Sequence, residues 1–287
     1  MAEGIRSLGL AVVVAIGLTA SASAAGDAFL DRIDFSPKHA KAWSLPRKLA
    51  EISGMASTAD GRVFTHDDES GIVYEIDPNE GKVKKAFALG KPTVKEDFEG
   101  IALADGKVYL VTSSGVIYEA PEGADGTRVL YNTYGTGIGQ HCEVEGLAYD
   151  PRADDLLIPC KTPYDKAFED HFVLYRWNVT RKAPPEGPAL DVPLSDVFSG
   201  VDGPKHFRPS GIEIVPESGN YLIVASLNHL VVEMTPEGLA RAIEKLDKGD
   251  HPQAEGVTIL PGPVLLISDE GSKRHGRLAL YGRKENR

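Results

Sequence analysis

Three glutamates, Glu99, Glu145 and Glu255, each stand directly before a glycine and an apolar residue, and two serines, Ser53 and Ser210, hold the same place elsewhere in the chain. Two positions upstream of these five come Glu51, Asp97, Glu143, Arg208 and Gln253. Further carboxylates gather at Asp67, Asp68 and Glu69 and at Asp269 and Glu270. If the fold brings these groups to one recess, crowded like charges raise one another's pKa unless a proton or a cation compensates. Oxygen-only ligands favour Ca²⁺ or Mg²⁺ over zinc, and an irregular ring of carboxylates and carbonyls suits the flexible shell of about six to eight oxygens around Ca²⁺. The expected cofactor is therefore calcium, with Glu99, Glu145, Glu255, Asp68 and Asp269 as its ligands. A structural reading competes with it. The glutamate would cap an innermost strand on neighbouring backbone, and the glycine would let adjacent units pack closely.

His66, His141, His171 and His206 are expected near the same place, beside Lys161 and Arg208. A histidine poised by a carboxylate can act as a general base, and the cations can hold a phosphate or carboxylate group. His66, Lys161, His206 and Arg208 are the expected ligand-binding residues. The chain carries no G-x-S-x-G elbow, H-E-x-x-H pair or Walker loop, which argues against serine hydrolases, zinc proteases and P-loop nucleotidases. Asp67 to Gly71 lacks the ligand spacing of an EF-hand.

What must position these residues is a repeat. The glycines following them, Gly54, Gly100, Gly146, Gly211 and Gly256, lie 46, 46, 65 and 45 residues apart, a period that belongs to toroidal or solenoid arrays. Each motif opens a series of short β-rich runs punctuated by turn residues, such as Asp60-Gly61 and Asp105-Gly106, so that each unit reads as four antiparallel strands. Leu239 to Lys248 has helical spacing by itself but aligns with the outer strand of unit one at Lys82 to Leu89. The fifth unit stops one strand short, and His39 to Leu45 is a spare strand ahead of the first. Pairing the two closes a ring and removes two sheet edges. The expected fold is all-β, a five-bladed β-propeller of four-stranded antiparallel blades closed by an N-terminal strand. Six blades are the alternative, if residues 27–47 and the long third unit hide another. The extra length of that unit is expected in loops at 161–172 and 181–207. In such blades the start of strand one and the end of strand two share one end of the sheet, so the candidate residues face one mouth of the central channel.

Arg6, the apolar run from Leu8 to Leu18 and Ala22-Ser23-Ala24 read as a secretory signal peptide over residues 1–24, leaving 25–287 as one propeller domain. No later run is long enough to span a bilayer, so the mature chain is expected to be soluble, without a transmembrane segment, and periplasmic or secreted. The formal net charge of −11 argues against nucleic acid as a partner and for a cation or a neutral or cationic ligand. Cys142 and Cys160 are the only cysteines, and in an oxidising compartment they are expected to form a disulfide, two buried free thiols being the alternative.

Glu51-Ile-Ser-Gly-Met-Ala, Asp67 to Asp77 and Glu96-Asp-Phe-Glu-Gly-Ile-Ala102 together resemble the SdiA-regulated family of exported bacterial β-propellers, most specifically over residues 45–120. That resemblance implies a periplasmic or membrane-associated propeller and no established activity. The motif is similar more distantly to esterase-like phytase, strictosidine synthase and gluconolactonase propellers. Those relatives imply a divalent cation at the channel mouth and hydrolysis of an ester, lactone or phosphoester. Ser53 and Ser210 depart from such a ligand set. Two functions are thus expected as alternatives: an envelope protein binding a small-molecule ligand or another protein, and a calcium-dependent hydrolase.

Overall fold

Tight turns with left-handed backbone set the architecture. In unit two Asp105 and Gly106 both have positive φ, 49° and 71°, and the strands they join pair Ala104 with Lys107, a two-residue hairpin matched to the twist of the sheet. A hairpin joins the first two strands of every blade, this one being the tightest of the five, and together they give the ring seen in a computed structural model that describes residues 27–271 and 274–285. The expected signal peptide lies outside the described residues.

Blade one comprises Ile52–Ser57, Val63–Asp67, Ile72–Ile76 and Val83–Leu89, and blade two Phe98–Ala104, Lys107–Thr112, Val116–Pro121 and Asn132–Gly135. Blade three has a broken inner strand, Cys142–Val144 and Ala148–Asp150, followed by Asp155–Pro163, His171–Asn178 and Leu190–Pro193. Blade four comprises Gly211–Ile214, Tyr221–Ala225, Leu230–Met234 and Ala240–Lys245, so the segment with helical spacing is an outer strand. Blade five comprises Ala254–Leu260, Val264–Asp269 and Arg277–Tyr281, and its fourth strand is the N-terminal Lys41–Ser44, paired antiparallel with Lys41 opposite Leu280. The ring closes at five blades. Phe29, Leu30 and Ile33 do not start a sixth; they are buried in the seam between blades four and five. Five apolar clusters fill the five seams, which is how an array of small sheets acquires a continuous core.

Two segments depart from the simple blade pattern. Arg128–Val129 pairs in parallel with the outer strand of blade one, and Asn132–Gly135 forms the last strand of blade two. The crossing covers an exposed sheet edge, and Gly123 permits it because a Cβ there would sit 2.8 Å from Phe87. In unit three the 181–207 stretch is not all loop. It supplies the blade's outer strand, and Phe198 and Phe207 are buried against blade four.

Candidate functional site

In three of the five blades the motif proves to be a β-bulge. In blade one Ile52 pairs with Asp67 and Gly54 with His66, leaving Ser53 extra. Blade two skips Glu99 between Phe98 and Gly100, and blade five skips Glu255 between Ala254 and Gly256. A bulged residue leaves the ladder and its side chain is re-aimed. In blade three the inner strand is interrupted at Glu145-Gly146, with Gly146 at φ 92°.

The glycines form a ring of close approaches, each facing the next blade. A Cβ on Gly100 would lie 2.6 Å from the carbonyl carbon of Gly146, one on Gly146 3.1 Å from Gly211 Cα, and one on Gly211 2.6 Å from the Glu255 carbonyl oxygen. A Cβ on Gly256 would lie 3.2 Å from the Gly54 carbonyl carbon, and one on Gly54 3.4 Å from Gly100 Cα. The structural role weighed for these glycines is thus present, and it seats Glu99, Glu145 and Glu255 together just above the ring.

Glu145 is 3% and Glu255 9% exposed. One oxygen of each, Glu145 Oε2 and Glu255 Oε2, is buried without a hydrogen-bond partner. Burial pushes Glu99 up to about 9, reinforced by Glu145 and Asp97, and pushes Glu145 and Glu255 up to about 8 against the pull of Lys161. The Lys161 ammonium stands 2.9 Å from Glu145 Oε1 and 3.6 Å from Glu143 Oε1. Burial disfavours its charge, but Glu145, Glu143 and Glu255 outweigh that and raise its pKa. One ammonium among four carboxylates leaves the mouth short of positive charge.

The serines divide. Ser53 donates to Glu99 Oε2 at 3.1 Å and so joins the mouth. The Ser210 hydroxyl donates to the Ala254 carbonyl at 2.6 Å and accepts from Ser226 N, which ties blade four to blade five.

The other expected site residues scatter. Asp68 lies on an outer arc with Glu51 and Glu270, its Oδ1 buried without a partner; burial, then those neighbours, push it up to about 7. Asp269 is turned away, held 2.8 Å from His251 Nδ1, whose Nε2 meets the Tyr281 hydroxyl at 2.5 Å. This buried triad was not legible in the sequence, where His251 stands in no motif. His66 is fully buried, with Nδ1 on the Asp67 carbonyl at 3.0 Å and Nε2 without a partner; desolvation lowers it to about 4. Arg208 Nη1 donates to the Lys161 carbonyl at 3.1 Å and fixes that residue's backbone. His206 is a surface residue, 61% exposed and 3.5 Å from Asp170. Among the described residues no three His, Cys, Asp or Glu side chains already stand as a set able to hold a metal ion.

The expected disulfide is not formed. Cys142 and Cys160 are buried free thiols, and the bulged register sets Cys160 opposite Val144 and Cys142 opposite Pro163, a diagonal pair. The Cys142 contact and burial raise the Cys160 thiol, so it stays protonated.

Raised carboxylate pKa values fix the sign of a pH dependence. With folded values of about 8 to 9 against an ordinary 4.5, the stability tied to the protonated glutamates is full below 4.5 and is lost as pH rises through 8 to 9. Without divalent cations the melting temperature is expected to fall from about pH 5.5 to about pH 9, a loss on the order of a few kcal/mol. A flat profile in calorimetry over that interval would contradict the placement of these groups.

No family model matches the chain, and no curated protein matches it. Solved structures do. An aldose sugar dehydrogenase from Streptomyces coelicolor in its PQQ-bound form aligns with TM-score 0.54 at 13% identity, over 86% of this chain and 99% of that one. A glutaminyl cyclase of Myxococcus xanthus aligns with TM-score 0.53 at 12% identity, over 85% and 96%. A luciferin-regenerating enzyme aligns with TM-score 0.52 at 10% identity, over 86% and 97%. At such identities the likeness is one of fold alone, and the fold is a β-propeller.

Proposed function

We propose that this is an exported β-propeller that takes a calcium ion at its acidic mouth and there binds a small-molecule ligand or an envelope protein. The observation that carries the reading is the convergence of Glu99, Glu145 and Glu255 from three blades, with two oxygens buried and unpartnered. Such oxygens are costly unless a proton or cation meets them. The donor set is oxygen-only and fits a hard cation. Glu99, Glu145 and Glu255 would hold it, with the Ser53 hydroxyl beside Glu99 and Asp68 on the flanking arc; Asp269, committed to His251, would not. Calcium would supply positive charge to which an anionic or carbonyl-bearing partner can bind. Lys161 supplies part of that charge already, so its ammonium must withdraw as the ion enters. Export is supported by the apolar leader and by the resemblance to the SdiA-regulated propellers. Among the described residues no helix is long and apolar enough to cross a membrane.

Hydrolysis is the less supported reading. His66 is closed behind Gly54, at 3.0 Å from where a Cβ would stand, and His206 lies on the surface. The expected result is a calcium-dependent rise in melting temperature of chelator-treated protein, with saturable binding in calorimetry that Glu145→Gln weakens at least tenfold. Absence of both binding and a shift would sink the metal reading. Calcium-stimulated turnover of a phosphoester, lactone or acyl ester, lost in Glu99→Gln, would replace the binding role with a catalytic one.

A further inference from the structure

The opposite end of the channel carries a second irregularity. Two residues after each motif glycine the repeat places Ala56, Ala102, Ala148, Glu213 and Thr258. Three blades agree on a small apolar residue there, and the two departures are neighbours in the ring. Thr258 donates to Glu213 Oε2 at 2.7 Å, and the Ile214 backbone N–H donates to Oε1 at 2.8 Å. Both donors are neutral, so the carboxylate is oriented without a counter-charge. Burial pushes it up to about 7, opposed only by those two hydrogen bonds.

Glu213 opens on a cavity of about 720 Å³ to which the turn-end residues of all five blades contribute. Its walls include Ile101, Leu103, Leu147, Ile214, Ile259 and Leu260. The cationic groups at its rim are already engaged: Arg62 stands 2.7 Å from Glu122, Lys107 lies 2.9 Å from Glu119, and Arg152 donates to the Pro216 carbonyl at 3.0 Å. Along the inner strand of blade two, Leu103 is four residues beyond Glu99, so this cavity lies roughly 13 Å from the acidic mouth, on the far side of the glycine ring.

We infer that this cavity is a separate binding site for a small apolar molecule carrying a protonated amine, the apolar body against the aliphatic walls and the ammonium on Glu213. The volume lies in the range of small-molecule sites, and a mostly apolar wall with one placed polar group is how such sites orient a ligand. Of the other carboxylates around the cavity, Glu122 is engaged by Arg62 and Lys85 and Asp105 and Glu217 stand exposed at the rim, so Glu213, set among the aliphatic walls, gives the class its sign: amines are preferred over isosteric alcohols, and carboxylates are rejected.

The test uses the whole mature protein and three probes of one shape: benzylamine, benzyl alcohol and benzoate. Methyl-resolved NMR reports location through Leu103, Ile214 and Ile259. Benzylamine is expected to shift these methyls saturably with Kd on the order of 1 mM, as its size allows. Benzyl alcohol is expected to bind about tenfold more weakly and benzoate more weakly still. In Glu213→Gln the amine loses its advantage and the alcohol keeps its affinity, which also shows that the cavity has remained intact. Thr258→Val weakens the amine only, through loss of the orienting hydroxyl. Equal binding of the three probes to the native protein would overturn the inference, as would shifts confined to residues beside the acidic mouth or an amine preference that survives Glu213→Gln. Failure here leaves the calcium reading standing, because the two sites use different blade ends and different carboxylates.

Discussion

Gly100→Ala is expected to lower the melting temperature by roughly 5–10 °C, although it adds a single methyl group and its backbone is one that any residue can adopt. The added carbon would stand 2.6 Å from the Gly146 carbonyl carbon and 2.6 Å from Leu147 N, both backbone atoms of the next blade. A flexible side chain could turn aside, but an innermost strand cannot move without opening the seam it closes. Overpacking of this kind costs about 1–3 kcal/mol, and for a domain of this size about 2–4 °C accompanies each. Gly54→Ala is expected to cost less, because its nearest neighbour is the His66 ring at 3.0 Å and the next blade lies at 3.4 Å. Gly135→Ala, with nothing within 4 Å and no positive φ, should be neutral or slightly stabilising, since alanine restricts the unfolded chain. Thermal melts of the three variants give the ordering. A Gly100→Ala melt no lower than that of Gly135→Ala would mean that the blades are not in register at the ring.

The same comparison separates what the sequence could show from what it could not. A period of about 46 residues, punctuated by Asp-Gly turns, is local chemistry repeated, so blade number, strand order and the ring-closing Lys41–Ser44 were legible. The bulge was not. Ser53, Glu99 and Glu255 read as ordinary strand residues, and only pairing across the hairpin shows that each is the extra one. Convergence of Glu99, Glu145 and Glu255 followed from the ring, because equivalent positions must meet at its axis. Asp269 and Arg208 escaped that logic, since their direction depends on partners far along the chain or outside the repeat: His251 for one, the Lys161 carbonyl for the other. The cysteines failed for a related reason. Their hairpin is the expected one, but its register sets Cys160 opposite Val144 and Cys142 opposite Pro163, so the two are not a facing pair. Repeats fix where a residue stands, whereas the departures from the repeat decide where its side chain goes.

Lys161→Met should destabilise the protein by about 2–4 kcal/mol near pH 9.5, where the mouth glutamates ionise, the cost of leaving buried carboxylates without their cation. Methionine keeps most of the aliphatic stem, so packing is largely preserved and the lost term is charge. The ammonium is what holds Glu145 and Glu255 down; without it their pKa values, already about 8, rise further. By the same linkage, native protein and variant lose stability alike as pH rises from 4.5 to about 8, and the extra loss in the variant appears only as pH rises further, where the native glutamates ionise beside the ammonium and those of the variant do not. At about pH 6.5 the difference should therefore shrink to well under half of its value at pH 9.5. Calcium should act in the same direction as acid, by supplying the missing charge. The variant is expected to gain more from calcium than the native protein does, because no tethered ammonium competes for Glu145 Oε1. Arg208 continues to hold the residue-161 carbonyl, so the strand end stays in place and the comparison isolates the side chain. Denaturant unfolding at the two pH values, with and without calcium, measures all three effects. A loss equal at both pH values and indifferent to calcium would mean that Lys161 stabilises by packing alone, and the mouth would then have no need of a cation.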